Sequence, residues 1–328
     1  MIVTRTPLRI PLGGGGTDLP SYYSRYGGLL VSAAINKYIY IVVNRRFEDS
    51  IRVSYARTEI VDRIDELEHP IAREALRLLE MGLGLEIISI ADLPANTGLG
   101  SSSSFTVGLL HALHAFKRES VSPQQLAEEA FHIEVERLGE PIGKQDQYAA
   151  ALGGVTCLEI ARDGVVEATQ LPIVEEVIQQ FENDVMIFYT GVKRAAGEIL
   201  AGQSQAVSNG HGEVTGALHE IRAIGENVRE ALLAGDLLRF GKLLQRHWEA
   251  KKRMSDGISS RHLDECYELA RENGAIGGKV MGAGGGGFFM FYCDGADKAR
   301  MRRALTAEGL REMRFAIEPE GSKVLVNI

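Results

Sequence analysis

The sequence predicts an α+β protein in two domains, residues 1–180 and 181–328. Three features predict it. The first 60 residues carry β-rich runs, Tyr38 to Val43 and the alternating Ile51-Arg52-Val53-Ser54-Tyr55. A buried-strand signal, Val185 to Thr190, opens a new unit near residue 180. That unit then runs through long helical stretches before a short apolar strand, Phe288 to Tyr292, so it mixes helices with a small sheet.

In chain order, strands and turns fill the first 60 residues, with a glycine run at Gly13 to Gly16 after the short β-like segment Leu8 to Ile10. Pro70 to Met81 has helical spacing, and Leu85 to Ile90 reads as a strand. The Gly- and Ser-rich turn Pro94 to Ser104 joins that strand to an amphipathic helix predicted over Phe105 to Phe116. A second helix, Pro123 to Leu138, starts with Ser122 as N-cap and proline at its first position. Gly153 to Ile160 is a glycine-led strand. In the second unit, helical stretches are predicted over 195–238 and Leu243 to Met254, then a helix from Arg261 to Asn273 stopped by Gly274. A glycine loop at Gly282 to Gly287, the strand Phe288 to Tyr292, a helix near Ala296 to Glu308 and a strand from Lys323 to Val326 complete the chain.

The 328 residues are 45% hydrophobic and 24% charged, enough apolar material for a large core without disulfides. The formal charge of −8 argues against a general nucleic-acid surface, so an anionic ligand needs a local basic pocket. The start, Met1 to Arg5, has no signal-peptide pattern, and no apolar run approaches a span of about 20 residues. A cytoplasmic protein without membrane or nucleic-acid partners, monomeric or homodimeric, is the expectation. Cys157, Cys266 and Cys293 are too few and too dispersed for a disulfide framework or a zinc site.

Three glycine loops carry the chemistry. The turn at Pro94 to Ser104 opens a helix, so it offers unpaired N–H groups and the positive end of the helix dipole, a seat for phosphate. No lysine precedes its serines, which excludes a Walker loop. Gly13 to Gly16 lets a ligand approach the backbone, and Asp18 adds two acceptors suited to sugar hydroxyls or a metal. Gly282, Gly284 and Gly287 spell G-x-G-x-x-G but open a strand instead of a helix. That context excludes a dinucleotide fingerprint and favours a loop lying against another phosphate loop.

Arg9, Thr17 and Asp18, then Pro94 through Ser103, then the Gly282 loop resemble, in order, the three motifs of the GHMP kinases (galactokinase, homoserine kinase, mevalonate kinase, phosphomevalonate kinase). The resemblance implies a two-domain GHMP kinase fold, with a ribosomal-protein-S5-like N-terminal domain and a ferredoxin-like C-terminal domain. The run Gly13 to Leu19, Gly143-Lys144-Gln145-Asp146-Gln147-Tyr148 and Lys279 to Gly287 are similar to one branch, the D-glycero-α-D-manno-heptose 7-phosphate kinases. That branch phosphorylates the anomeric hydroxyl with ATP and Mg2+, giving the 1,7-bisphosphate, a precursor of GDP-heptose. Fucokinases share a similar Gln-Asp-Gln core. The absence of Glu-His before Thr17 and Asp18 argues against galactose.

The resemblance assigns Asp146 as the catalytic aspartate, either base or orienting group, and places Arg9 near the transferring phosphoryl group. It implies ATP contacts from Asn96, Gly98, Leu99, Gly100, Ser101, Ser102 and Ser103, and Mg2+ ligation by Ser102 and Glu134. Glu134 stands twelve residues before Asp146, and its competitor Glu136 reads as a solvated helix residue. Substrate contacts fall to Gly15, Gly16, Thr17, Asp18, Lys144, Gly284 and Gly285. Arg194, in Thr190-Gly191-Val192-Lys193-Arg194 between a strand and a helix, is the expected seat for the phosphate of a phosphorylated sugar. Lys251, Lys252 and Arg253 read as a solvated helix face. His111 and His114 read as a packed or solvated pair without a carboxylate partner, and Trp248 as a packing residue. Other sugar 1-kinases of the fucokinase or galactokinase type are the nearest alternative. A non-catalytic sugar sensor is disfavoured, because Asp146, Glu134, Ser102 and Arg9 are all present.

Overall fold

In the computed structural model, residues 1–95, 97–192 and 196–328 are described. β1 (Ile2–Gly13) runs into the first glycine loop, then α1 (Pro20–Tyr26) and the long strand β2 (Gly28–Arg45) follow. β3 (Ile51–Ser54), β4 (Thr58–Val61), α2 (Pro70–Leu78) and β5 (Leu85–Ala91) lead to the second glycine loop. α3 (Ser101–Lys117), α4 (Pro123–Phe131) and α5 (Gln145–Leu152) precede the hairpin of β6 (Val155–Ile160) and β7 (Val166–Gln170). α6 (Glu175–Asp184) and β8 (Val185–Tyr189) open the second half. It continues through α7 (Ala196–Ser208), α8 (Gly212–Leu233), α9 (Leu237–Lys252) and α10 (Arg261–Glu272). β9 (Ala275–Val280), β10 (Phe288–Cys293), α11 (Lys298–Ala307), β11 (Arg311–Met313) and β12 (Lys323–Asn327) end the chain.

Among the described residues, one sheet has eight strands and the other four. The large sheet runs β12-β1-β2-β5-β3-β4, with β6 and β7 continuing from β2. β2 spans 18 residues because it serves two partners along one side: Gly28 to Ala33 pair with β6, and Ile39 to Arg45 pair with β5. The small sheet, β11-β8-β10-β9, is antiparallel throughout. β10 lies in its interior with every side chain buried, which is why Phe288 to Tyr292 read as a continuous apolar run.

α3 packs on β1 and β2 through Gly108, where a Cβ would lie 2.6 Å from Thr6 Oγ1 on β1 and 3.4 Å from Ile41 Cγ1 on β2, while Val107, Leu110 and Leu113 are fully buried. It is covered on nearly every side, so it is a core helix instead of the amphipathic one expected. It also begins at Ser101, four residues before Phe105, and this puts the serines inside its first turn. Three further short helices, α1, α5 and α6, have only two to three turns, too few for a periodic signal in the sequence. The stretch expected as one helix over 195–238 is two helices, divided at Gly210, whose φ of +74° cannot be helical. β12 pairs with β1 and so crosses back over the expected division near residue 180. A second core surrounds the small sheet, where Trp248 is buried against Phe289 and Tyr267 with ring centroids 6.3 Å apart in both pairs. The three cysteines are buried and free, and among the described residues no helix is long and apolar enough to cross a membrane.

Candidate active site

A cavity of about 430 Å3 opens where the three glycine loops meet. Its floor begins with β1. Arg9 lies beyond the part of β1 that pairs with β12, so its backbone N–H is free to donate to Leu99 O at 3.1 Å. This bond lays the second glycine loop along the strand. The Arg9 side chain then makes three contacts to two acceptors: Nε and Nη2 meet Asp146 Oδ1 at 2.7 and 2.6 Å, and Nη1 donates to Gly98 O at 2.7 Å. Asp146 sits in the first turn of α5 and lines the cavity with a quarter of its side chain exposed. Gly100 fits between these groups because it lacks a Cβ, which would stand 3.3 Å from both the Arg9 Cγ and the Asp146 Oδ2.

Gly100 is also the N-cap of α3, with φ +77° and no side-chain cap. The first intrahelical bond is donated by Ser104 N to Gly100 O at 2.9 Å. The N–H groups of Ser101, Ser102 and Ser103 precede it and point out of the helix start, an anion seat. Ser104 is not part of that seat: its hydroxyl donates to Pro7 O at 2.8 Å. Gly282 backs onto this loop, since a Cβ there would lie 2.7 Å from Gly98 Cα, and one on Gly287 would lie 2.5 Å from Thr97 O. The two glycine loops therefore pack backbone to backbone, as their sequence context suggested.

Glu134 lies on a π-helical turn, His132–Arg137, that continues α4. The wider coil turns Glu134 inward, where it is 1% exposed, while Glu136 stays at the surface against His132. Its Oε1 accepts from Ser102 Oγ at 2.8 Å and its Oε2 from Gln147 Nε2 at 2.8 Å. Burial pushes this carboxyl up to about 7, which hydrogen bonds from Ser102, Ser103 and Gln147 only partly oppose. One buried carboxylate beside one hydroxyl suits a hard divalent cation that keeps other oxygens, including phosphate oxygens, in its shell. Among the described residues no group of three or more His, Cys, Asp or Glu side chains is placed to hold a metal ion.

Asp18 closes the other end. It accepts from Gly16 N and Gln145 N, each at 3.0 Å, and Gly143 lies so close that a Cβ there would collide with Asp18 Oδ2. Burial raises its carboxyl above the usual range, and the nearby Asp146 adds to this. Gly15, Gly16 and Asp18 line the cavity.

Several expected contacts lie elsewhere. Thr17 is fully buried, and its hydroxyl donates to Gly14 O and Leu29 O, so it holds the loop instead of facing a ligand. Leu99 is a core side chain whose carbonyl serves Arg9. Lys144 turns away to Glu128, at 2.8 and 2.9 Å, across the Phe131 ring. Gly284 and Gly285 pack on Ile258, with Gly285 N donating to Ile258 O, while Gly282 and Ala283 line the cavity. The Thr190 hydroxyl donates to Gly287 O at 3.0 Å. Asn96, Lys193 and Arg194 lie outside the described residues. His114 does have carboxylate partners, Glu119 and Glu129, which raise its pKa.

Two lysines and a histidine with no expected part in the site also line the cavity: His247, Lys251 and Lys279. Lys251 is buried, not solvated as expected, whereas Lys252 and Arg253 are surface residues paired with Asp264 and Glu220. The signal was the helical register. Leu244, Trp248 and Lys251 recur at i, i+4 and i+7 and therefore share the buried stripe of α9.

Residues 70–154 match the GHMP kinases N terminal domain, and residues 228–310 match the GHMP kinases C terminal domain. A D-glycero-alpha-D-manno-heptose 7-phosphate kinase of Campylobacter jejuni is 30% identical over 98% of each chain. This chain belongs to the GHMP kinases. A galactokinase of Pyrococcus furiosus is 30% identical over 72% of this chain and 73% of its own. Among solved structures, a D-glycero-D-manno-heptose 1-phosphate kinase from Bacteroides thetaiotaomicron is 26% identical, covers 99% of both chains and superposes with a TM-score of 0.82. Family membership accounts for the order of the three loops and for the two-domain α+β fold that brings them together.

Proposed function

We propose that this GHMP kinase is an ATP-dependent sugar 1-kinase whose acceptor is D-glycero-α-D-manno-heptose 7-phosphate, giving the 1,7-bisphosphate used toward GDP-heptose. The observation that carries the chemistry is the Arg9–Asp146 pair, set at 2.6 Å in a cavity between a helix N-terminus and a glycine loop. Likeness to the Campylobacter jejuni heptose 7-phosphate kinase along nearly the whole chain supports the choice of acceptor. Named galactokinases and fucokinases among the relatives support a sugar kinase in the wider sense.

In this reading, ATP phosphates bind the N–H groups of Ser101 to Ser103 and the Gly98 to Gly100 backbone. The sugar lies along Gly15, Gly16 and Asp18. Asp146 accepts the proton of the anomeric hydroxyl as its oxygen bonds to the γ-phosphorus and the bond to ADP breaks. Arg9 keeps Asp146 oriented and offsets charge on the transferring group. Glu134 and Ser102 would hold Mg2+, which supplies charge neutralisation along the phosphates. Arg194 remains a proposed contact for the sugar phosphate. The test is an ATP-consumption screen against heptose 7-phosphate, mannose, fucose and galactose, with product NMR to locate the new phosphate. Turnover of heptose 7-phosphate at the anomeric oxygen supports the proposal. Preference for an unphosphorylated sugar, or phosphate on another oxygen, overturns the assigned acceptor.

A further inference from the structure

α9 and β9 bring His247, Lys251 and Lys279 to one stretch of the cavity wall. All three are more than nine-tenths buried. Lys279 Nζ donates to Leu12 O at 3.1 Å, and Lys251 Nζ donates to Val280 O at 3.5 Å and to Gly282 O. Among the described residues no carboxylate contacts either ammonium, and neither ring nitrogen of His247 has a hydrogen-bond partner. Arg9, whose own charge is matched by Asp146, adds to the positive field on both lysines. Buried cations without counter-ions are costly, and pinning carbonyls does not require two of them beside an orphaned imidazole. Burial and the neighbouring Arg9 hold Lys251 down to about 7, and Lys279 and His247 sit well below their ordinary values for the same kind of reason. An anion in the cavity would reverse each of these penalties.

The anchors locate the anion. Lys279 is tied to Leu12, at the foot of the Gly13–Asp18 loop, and Lys251 to Gly282, which backs onto Gly98. The cluster therefore stands between the loop proposed for the sugar and the loop proposed for ATP. We infer that His247, Lys251 and Lys279 form a phosphate subsite that receives the phosphomonoester of the acceptor, an inference that rests on the sugar-kinase reading for its ligand. The terminal phosphate of the nucleotide is the other source of the same chemistry. The anchoring of Lys279 beside the sugar loop favours the acceptor.

Calorimetric titration of the purified protein with inorganic phosphate tests this near pH 7.5, in two buffers of different ionisation enthalpy. Phosphate should bind with net proton uptake, because Lys251 and Lys279 gain protons as the anion joins Arg9, Asp146 and His247 around them. K251M and K279M should weaken binding roughly tenfold or more and abolish the uptake, since each removes a charged partner of a buried anion. Lys279→Arg should retain binding, and circular dichroism separates loss of binding from loss of fold. Unchanged phosphate affinity and uptake in both Met variants overturns the subsite. With a saturating non-hydrolysable ATP analogue present, retained phosphate binding supports the acceptor, whereas competition assigns the cluster to the nucleotide and overturns it. In turnover, the Met variants should raise KM for heptose 7-phosphate and not for unphosphorylated heptose; equal effects on both overturn the assignment. If wild type turns over no sugar yet binds phosphate through these lysines, the kinase reading fails while the subsite stands.

Discussion

Arg9 uses its whole guanidinium fork: two nitrogens on Asp146 Oδ1 and one on the Gly98 carbonyl. A lysine can hold one such acceptor but not all of this geometry. Arg9→Lys should therefore lower kcat more than it raises the KM for ATP, and steady-state kinetics separates the two. Asp146→Asn keeps the shape of the side chain and removes its proton acceptor, so kcat should fall by about 100-fold or more. Nucleotide binding, read by calorimetry, should stay near wild type; near-normal turnover would remove Asp146 from its proposed role. Glu134 offers a pH test that needs no substrate. Its folded carboxyl titrates at about 7, against 4.5 for an unperturbed one. Between those values the folded chain holds a proton that the unfolded chain has released, so the stability of the ligand-free protein falls as pH rises from 4.5 through 7. The full penalty is on the order of 3 kcal/mol. Glu134→Gln should flatten that slope in denaturant titrations at pH 5 and pH 8. A variant as pH-dependent as wild type across this range would contradict the assignment.

The glycine loops work as elements because they touch through backbone. Gly282 combines φ +67° with a would-be Cβ 2.7 Å from Gly98 Cα, so Gly282→Ala must both strain its own backbone and push the loops apart. A left-handed Ala costs roughly 1–2 kcal/mol before any clash. ATP affinity should fall, while Gly295→Ala, in open space with no positive φ, should change nothing measurable. Equal ATP affinity in both variants would mean that loop-to-loop packing does not shape the seat. The same scale explains what was legible in sequence. Pro94 to Ser103 announced a helix-opening loop through its composition, and the strand-opening context of Gly282 announced packing against it. The roles of Thr17, Lys144 and Gly284 were not legible, because a hydroxyl, an ammonium or a bare backbone looks the same in sequence whether it faces a cavity or its own fold. Thr17 is claimed by two carbonyls and Lys144 by Glu128, partners set by tertiary packing.

At the scale of the whole molecule, the last strand ties the end of the chain to its beginning. β12 pairs with Ile2 to Arg5 of β1, and Ser322 bonds Thr6 Oγ1 at 2.8 Å and His111 Nδ1 at 3.0 Å. Deleting residues 322–328 leaves an unpaired edge on β1, the strand that carries Arg9. The deletion should lower the melting temperature by several degrees, as a loss of about 1–3 kcal/mol does in a protein of this size. It should also lower turnover with heptose 7-phosphate, measured beside the thermal melt. An unchanged melt would show that β12 is dispensable.

By itself the sequence determined what depends on local composition and spacing: the α+β class, the Gly- and Ser-rich loop that opens a helix, the glycine run before Asp18, and a glutamate twelve residues ahead of Asp146. It also separated Glu134 from Glu136, through a resemblance that the buried position of Glu134 now makes physically intelligible. Only the tertiary structure decided which polar groups face the cavity and which serve the fold. It drew Lys251 and Lys279 from a helix face and a strand into one wall, because burial and hydrogen-bond satisfaction are settled between segments far apart in the chain. A lysine on a half-polar helix is cheap to leave in water. Its being buried without a counter-ion is a fact of packing, and that fact points to an anion.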